Sequence, residues 1–242
     1  MIIIECFCLT DVKEPTPTPS TPPDKIPLNF IADVIFIMDS SSSVSSRDYS
    51  KEKEFVKYLA TYLNVSPGNS RAALITYGNA ASEVIEFDIK RLRADFESAV
   101  EKAPFVGRNR RIDRALEKAS QMMANVRPWV RKIVILLTSG KQSRESGSKT
   151  PGEAAIPLLD KGVYNYVVAI GQEPDISELR PVVQQPAQIF RMTSFDDLEP
   201  RKTTVGGIIV ETSSKFYKFR VISVIISSSI RLLLCISSLR SN

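Results

Sequence analysis

The sequence predicts an α/β domain with a doubly wound, mostly parallel sheet, helices on both faces and one short antiparallel edge strand. Three observations carry this expectation. Several apolar runs are continuous rather than alternating, Val34-Ile35-Phe36-Ile37-Met38 above all, and a strand covered by helices on both faces reads this way. These runs alternate with segments whose apolar residues recur at helical spacing, the rhythm of right-handed βαβ crossovers. Two of the runs stop abruptly at polar loops, one at Asp39 and one at Thr138-Ser139, and open α/β sheets bind ligands beyond the carboxyl ends of their strands.

In chain order, residues 1–29 read as a tail or linker. Ile2-Ile3-Ile4 is broken by Glu5 and lacks a basic lead-in, which does not match a secretory leader. Pro15, Pro17, Pro19, Pro22, Pro23 and Pro27 lie among Thr, Ser and charged residues, a composition that builds no core. The domain is expected over residues 30–200. After the first strand and its serine-rich loop, Phe55, Val56, Leu59, Tyr62 and Leu63 mark an amphipathic helix within residues 47–63. Asn64-Val65-Ser66 at its end is a glycosylation sequon, usable only in a secreted chain. Arg71 to Tyr77 reads as a second strand and Glu83 to Phe87 as an edge strand, joined by a hairpin around Gly78-Asn79. Leu92, Phe96, Ala99 and Val100 mark one helix, and Ile112, Leu116, Ala119 and Met123 another, both with core-facing stripes. Arg131 to Leu137 is a buried strand. Pro151 suits the first turn of a helix through Leu159, which Pro157 is expected to kink or shorten. Val163 to Ile170 is a strand, Ile176 to Val183 holds a short helix, and Gln188 to Met192 is the last strand. A helix starting near Ser194 meets Pro200 almost at once, and Gly206-Gly207 is expected to interrupt any continuation. Residues 201–242 are then a tail. Its weak hydrophobic segment, 221–239, has the length to cross about 30 Å of hydrocarbon. Arg231 near its middle costs roughly 2.5–3.5 kcal/mol on insertion scales, which favours a poorly packed tail over a membrane anchor.

Composition closes several function classes. With 242 residues, 43% hydrophobic and 24% charged, the chain holds one core of ordinary size. It contains no histidine, which removes Ser-His-Asp and Cys-His nucleophile systems, His-ligated zinc and imidazole acid–base chemistry. Cys6, Cys8 and Cys235 all lie in the terminal segments and fit no zinc spacing, so no disulfide is expected inside the domain. A net charge of +5 is mild for a dedicated nucleic-acid binder, and nucleic acid is not expected as a partner.

Asp39-Ser40-Ser41-Ser42-Ser43 sets one carboxylate and two hydroxyls, Asp39, Ser41 and Ser43, on alternate residues of a tight loop. Hard oxygens of this kind suit Mg²⁺, Mn²⁺ or Ca²⁺; a solvated turn whose hydroxyls cap the next helix has the same composition. The run resembles the first loop of the metal-ion-dependent adhesion site of von Willebrand factor type A domains, of the matrilin, microfibrillar collagen and integrin inserted-domain type. Val56-Lys57-Tyr58-Leu59, Ala73-Leu74-Ile75-Thr76-Tyr77, Arg111-Ile112-Asp113-Arg114-Ala115-Leu116, the stretch Leu136 to Ser143, and Val168-Ala169-Ile170-Gly171 resemble further signatures of that family, in order, over about residues 31–198. The resemblance implies a Rossmann-like fold, an extracellular or cell-surface location, and a non-enzymatic role in which a bound cation accepts a partner's carboxylate. It also makes a link between Cys6 or Cys8 and Cys235 conceivable, since members often carry a cysteine at each edge of the domain.

In the family the cation is held by the serine loop, by a threonine before the third main helix and by an aspartate after the fourth strand. Here the threonine position falls on Arg110 and the aspartate position on Ser139, a degenerate site whose affinity for Mg²⁺, or for Mn²⁺ or Ca²⁺, is expected to be weak or absent. Several outcomes are open. Asp39, Ser41 and Ser43 hold a metal weakly, with water completing its shell; or Arg110 folds inward and its guanidinium pairs with Asp39 as a substitute cation; or Arg110 points to solvent with Arg108 and Arg111. A one-residue slip would instead offer the Asn109 carbonyl oxygen as a ligand. Arg108, Asn109 and Arg111, with Arg110 and Arg114, are expected to form a basic ligand-binding rim. Such a rim suits an extracellular matrix protein, another acidic protein ligand or a sulphated glycan. The rival readings are a Mg-dependent phosphoryl-transfer or hydrolase enzyme with Asp39 as nucleophile, for which Ser139 is the wrong neighbour, and a structural remnant with an inactive site.

Overall fold

The structure is a computed structural model and describes residues 30–88, 90–105 and 107–214. The readings made for the 1–29 linker, for Cys6, Cys8 and Cys235, and for the 221–239 segment lie outside the described residues.

Strands β1 (Ala32–Asp39), β2 (Arg71–Tyr77), β3 (Ala81–Ile85), β4 (Arg131–Thr138), β5 (Tyr164–Ile170) and β6 (Ile189–Met192) form one sheet in the order β3-β2-β1-β4-β5-β6. All neighbours are parallel except β2 and β3. Every residue of β1 is buried, which is why its apolar run shows no alternation: helices cover both faces. On one face Val34, Phe36 and Met38 meet Phe55 and Leu59 of α1 (Ser46–Tyr62), Phe96 of α2 (Arg93–Glu101) and Val205 and Ile209 of the last helix. On the other, Ile35 and Ile37 meet Ile112 and Leu116 of α3 (Ile112–Met122) and Ala154 and Leu158 of α4 (Pro151–Asp160). A short α5 (Ile176–Leu179) passes into a 3₁₀ turn, Arg180–Val182.

Three expectations are corrected. The edge strand is Ala81–Ile85, shifted toward the hairpin, with a register irregularity opposite Leu74 and Ile75. Helix α4 runs past Pro157 to Asp160. A full capping box between Thr150 and Glu153 secures its start, and buried Ala154, Ala155 and Leu158 press it onto the sheet, so the loss of one backbone N–H does not end it. The third correction concerns the last helix, α6. It spans residues 198–214 of the described chain without a break at Gly206-Gly207, and its Val205, Ile209 and Val210 are buried. Pro200 falls in the first turn, where an N–H has no helical acceptor in any case. Gly206 is a contact point: a Cβ there would stand 2.7 Å from Cδ1 of Tyr62. Its bare backbone lets α6 lie against α1. The packed core thus continues beyond residue 200. Among the described residues no helix is long and apolar enough to cross a membrane.

Candidate functional site

The strand order reverses direction between β1 and β4, and at such a switch point the loops leaving adjacent strands diverge and open a crevice. Asp39 ends β1, and Ser139 follows β4 directly. A third loop, residues 107–111, crosses the same crevice on its way into α3. Backbone bonds join the three. Gly107 N–H donates to Ser40 O at 2.7 Å, Ser42 N–H to Arg108 O at 3.0 Å, and Ser143 N–H to Arg110 O at 2.8 Å. Gly107 (φ 70°) and Arg108 (φ 65°) both take the left-handed conformation. For arginine that conformation costs roughly 1–2 kcal/mol, and it aims the Arg108 carbonyl at the serine loop.

At the centre, Asp39 is fully buried. Its Oδ2 accepts from Arg110 Nε, from the Ser139 backbone N–H and from Ser139 Oγ, each at 2.9 Å. Its Oδ1 accepts from Ser41 N–H at 3.0 Å. The Arg110 guanidinium also donates through Nη2 to Ser139 Oγ at 2.9 Å and to Ser43 Oγ, and through Nη1 to the Lys141 carbonyl at 3.1 Å. Only 7% of Arg110 is exposed. Ser41 Oγ and Ser43 Oγ lie 3.1 Å apart. The guanidinium lies so close over Gly140 that a Cβ there would be 2.2 Å from Nη1. The structure therefore brings Asp39, Ser41, Ser43, Arg110 and Ser139 into one crevice, with Arg110 folded inward.

As folded, these residues do not fit a divalent cation. The oxygens of Asp39, Ser43 and Ser139 already converge on a guanidinium. Like unit charges about 4 Å apart repel by about 4 kcal/mol at an effective dielectric near 20, and a divalent ion doubles that. No group of three or more acidic, Cys or His side chains suited to a metal occurs among the described residues.

The rim departs from expectation. Arg111 does not face solvent: 4% exposed, it forks onto Asp113 (Nε–Oδ1 2.9 Å, Nη2–Oδ2 2.6 Å) and also reaches Glu145. The Asp113 hydrogen bonds, then its charge and Glu145, hold that guanidinium above the ordinary arginine range. Asn109 turns its side chain to Glu145, Nδ2 to Oε1 at 2.8 Å, away from Asp39. Arg108 and Arg114 remain exposed, the latter donating to the Asn79 carbonyl at 2.9 Å.

Sequence reasoning missed Glu52. This α1 residue is fully buried behind the site, its Oε2 accepting from the Asp39 backbone N–H at 3.1 Å and its Oε1 without a hydrogen-bond partner. Burial first, and the Asp39 charge second, push its carboxyl well above the usual range. The signal was present in the spacing: 52, 55, 56 and 59 lie on one helical stripe, and a glutamate at its head must be buried with Phe55, Val56 and Leu59.

Residues 33–203 match the profile of the von Willebrand factor type A domain. The chain belongs to that family. Among curated proteins this type A domain is similar to the human collagen alpha-6(VI) chain (27% identical over 173 residues, 69% of this chain and 7% of the relative). It is likewise similar to mouse von Willebrand factor A domain-containing protein 1 (30% over 185 residues, 74% and 43%) and mouse matrilin-2 (25% over 177 residues, 69% and 18%). Among solved structures it resembles proximal thread matrix protein 1 of the mussel byssus, determined with a zinc-occupied MIDAS motif (TM-score 0.69, 26% identity, 77% of this chain and 47% of that one). The chain spans less than half the length of each of these proteins. The fold agrees in full with the family's Rossmann-like architecture.

Proposed function

We propose that this type A domain is a non-enzymatic protein-binding module of the extracellular matrix or cell surface whose adhesion site is closed by its own arginine. It binds an acidic partner at the top of the sheet without a divalent metal. The kinship to matrix proteins supports the adhesive role and the extracellular setting. The observation that carries the rest is the 2.9 Å contact between Arg110 Nε and Asp39 Oδ2, made by a guanidinium only 7% exposed. In this reading Arg110 is the substitute cation: it neutralises Asp39 and rigidifies the three loops. The partner's carboxylates are left to the exposed Arg108 and Arg114. A hydrolase reading finds less support, because the Asp39 oxygen that would attack already accepts from three donors.

Thermal unfolding with Mg²⁺ or Mn²⁺ and with chelator tests this. A ligand that binds only the folded state must stabilise it, by about 2.7 kcal/mol at one hundred times its Kd. The wild-type melting temperature is expected to be the same in both conditions, whereas Arg110→Thr combined with Ser139→Asp should gain stability with metal. Metal-dependent stabilisation of the unmodified domain, or metal-dependent adhesion by it, refutes the closed-site reading.

A further inference from the structure

The two buried arginines of the top crevice are paired one to one or better with acids, Arg110 with Asp39 and Arg111 with Asp113 and Glu145, while Arg108 and Arg114 stay exposed on its rim. At the opposite end of the sheet the balance differs. There β2, β1 and β4 start side by side, and Asp33 stands in register with Arg71 on one neighbour and Lys132 on the other. In-register residues of parallel neighbours project to the same face, so Arg71, Asp33 and Lys132 form a row, and Arg127 joins it from the segment before β4. Asp33 is fully buried. It accepts from Arg71 (Nε 2.8 Å, Nη2 2.5 Å) and from Arg127 (Nε 3.0 Å, Nη2 2.6 Å, backbone N 3.1 Å). Two guanidiniums thus share one carboxylate, and Lys132 stands beside them in register without an ion pair among the described residues, so this row of four side chains carries two more positive charges than negative. On the far side of Arg71, Glu83, itself paired with Lys118, and Glu86 line a common cavity with it. The surplus has open donors. Both arginines bind Asp33 through Nε and Nη2; their Nη1 groups and Lys132 Nζ have no partner among the described residues and are not among the buried polar atoms that lack one. Asp33 fixes both guanidiniums, and Arg71 is further held over the Phe87 ring at 5.1 Å. The ordering of two long side chains, a large part of the entropic cost of binding an anion, has already occurred in the free domain.

We propose that this end of the sheet is a second binding surface, which takes the sulphate esters of a sulphated glycosaminoglycan. With both Nε–Nη2 forks held by Asp33, the Nη1 groups of the two fixed guanidiniums and the Lys132 ammonium remain to donate charge-assisted hydrogen bonds to a sulphate oxyanion, and a polymer of such groups repays a small site by repetition along its length. The choice of sulphate rests on the extracellular setting proposed above; the surface itself is separate from the top crevice.

The test is elution of the full chain from immobilised heparin along a salt gradient, with desulphated heparin as control. Wild-type protein is expected to be retained on heparin beyond 0.15 M salt, roughly physiological strength, and to pass through the desulphated column. Lys132→Gln should weaken heparin binding roughly fivefold, the share of one lysine at an anionic surface, and flatten the dependence of log affinity on log salt by about one ion. Lys132→Glu should release the protein at low salt. Lys132 makes no side-chain hydrogen bond or ion pair among the described residues, and equal melting temperatures of wild type and both variants verify that neither change disturbs the fold. Arg127→Gln, accepted only if it melts as a folded domain, should weaken binding further. Arg108→Gln with Arg114→Gln, at the top, should leave elution unchanged. The proposal is overturned by equal retention on both columns, by a Lys132→Glu protein that elutes with wild type, or by loss of retention in the Arg108/Arg114 variant. That last result would place the anion at the top crevice and leave the metal test of the previous section untouched.

Discussion

Arg110 and Asp39 form a buried ion pair, and such pairs are asymmetric in their energetics. Making one gains little over a well-packed apolar pair, but removing one partner strands a charge and typically costs 3–5 kcal/mol. Arg110→Ala is therefore expected to destabilise the domain by about that amount in chemical denaturation, and Arg110→Lys to recover only part, because an ammonium cannot reproduce the fork reaching Asp39, Ser43, Ser139 and the Lys141 carbonyl at once. Glu52 behaves in the opposite sense. Its folded-state pKa is raised by burial and by Asp39, so its contribution to stability is complete below the unfolded value near 4.5 and is lost as pH rises through the folded value. Glu52→Gln keeps an acceptor for the Asp39 N–H and cannot ionise. It should be more stable than wild type at neutral pH and show no advantage at pH 4, measured by urea unfolding at each pH. At this scale the sequence was informative about identity and silent about direction. The mismatch of Arg110 and Ser139 with the family's ligand set was readable from spacing, but whether the guanidinium turned in or out depended on Gly140, whose missing side chain leaves it room.

Among the elements, α6 shows how a residue type can mislead. Glycine in a helix interior costs about 1 kcal/mol relative to alanine, and a Gly-Gly pair reads as a stop. The cost is offset where the helix must approach a neighbour closely, as Gly206 does at the Tyr62 ring, and that is a property of two elements far apart in sequence. Gly206→Ala is expected to destabilise by about 1–3 kcal/mol, as overpacking does, despite alanine's better helix propensity; Gly206→Ala with Tyr62→Leu should recover part of the loss. A stability gain from the single substitution would mean the contact imposes no constraint. The strands were more legible. Each apolar run in β1, β2, β4 and β5 became a strand within a residue or two because burial on both faces leaves no other way to place it, whereas the half-exposed edge strand β3, with only one neighbour to fix its register, slipped toward the hairpin.

Across the whole molecule, β1 is a rod of apolar residues closed at each end by a buried carboxylate under arginine: Asp39 with Arg110 at the top, Asp33 with Arg71 and Arg127 at the bottom. The two ends tie different loops to the central strand, and the bottom cluster gives the domain a defined acid response. Burial pushes the Asp33 carboxyl up, but the hydrogen bonds and charges of Arg71 and Arg127 together outweigh it and hold the group below its ordinary 3.8. A carboxylate with a depressed folded-state pKa stabilises the fold fully above the unfolded value and loses that contribution as pH falls through the folded one. Wild-type stability should thus decline steeply below about pH 4. Asp33→Asn abolishes this component and leaves two guanidiniums facing each other across a neutral amide. It should be less stable than wild type by about 3–5 kcal/mol at pH 7, and the gap should narrow as pH is lowered. Because the pair interactions are buried, 1 M salt should change the gap little, its Debye length of about 3 Å screening exposed charges far more than enclosed ones. Urea midpoints at pH 7 and pH 3, with and without salt, decide the matter: a gap that stays constant with pH, or that closes with salt alone, would show that the arginines act through general surface charge rather than through Asp33.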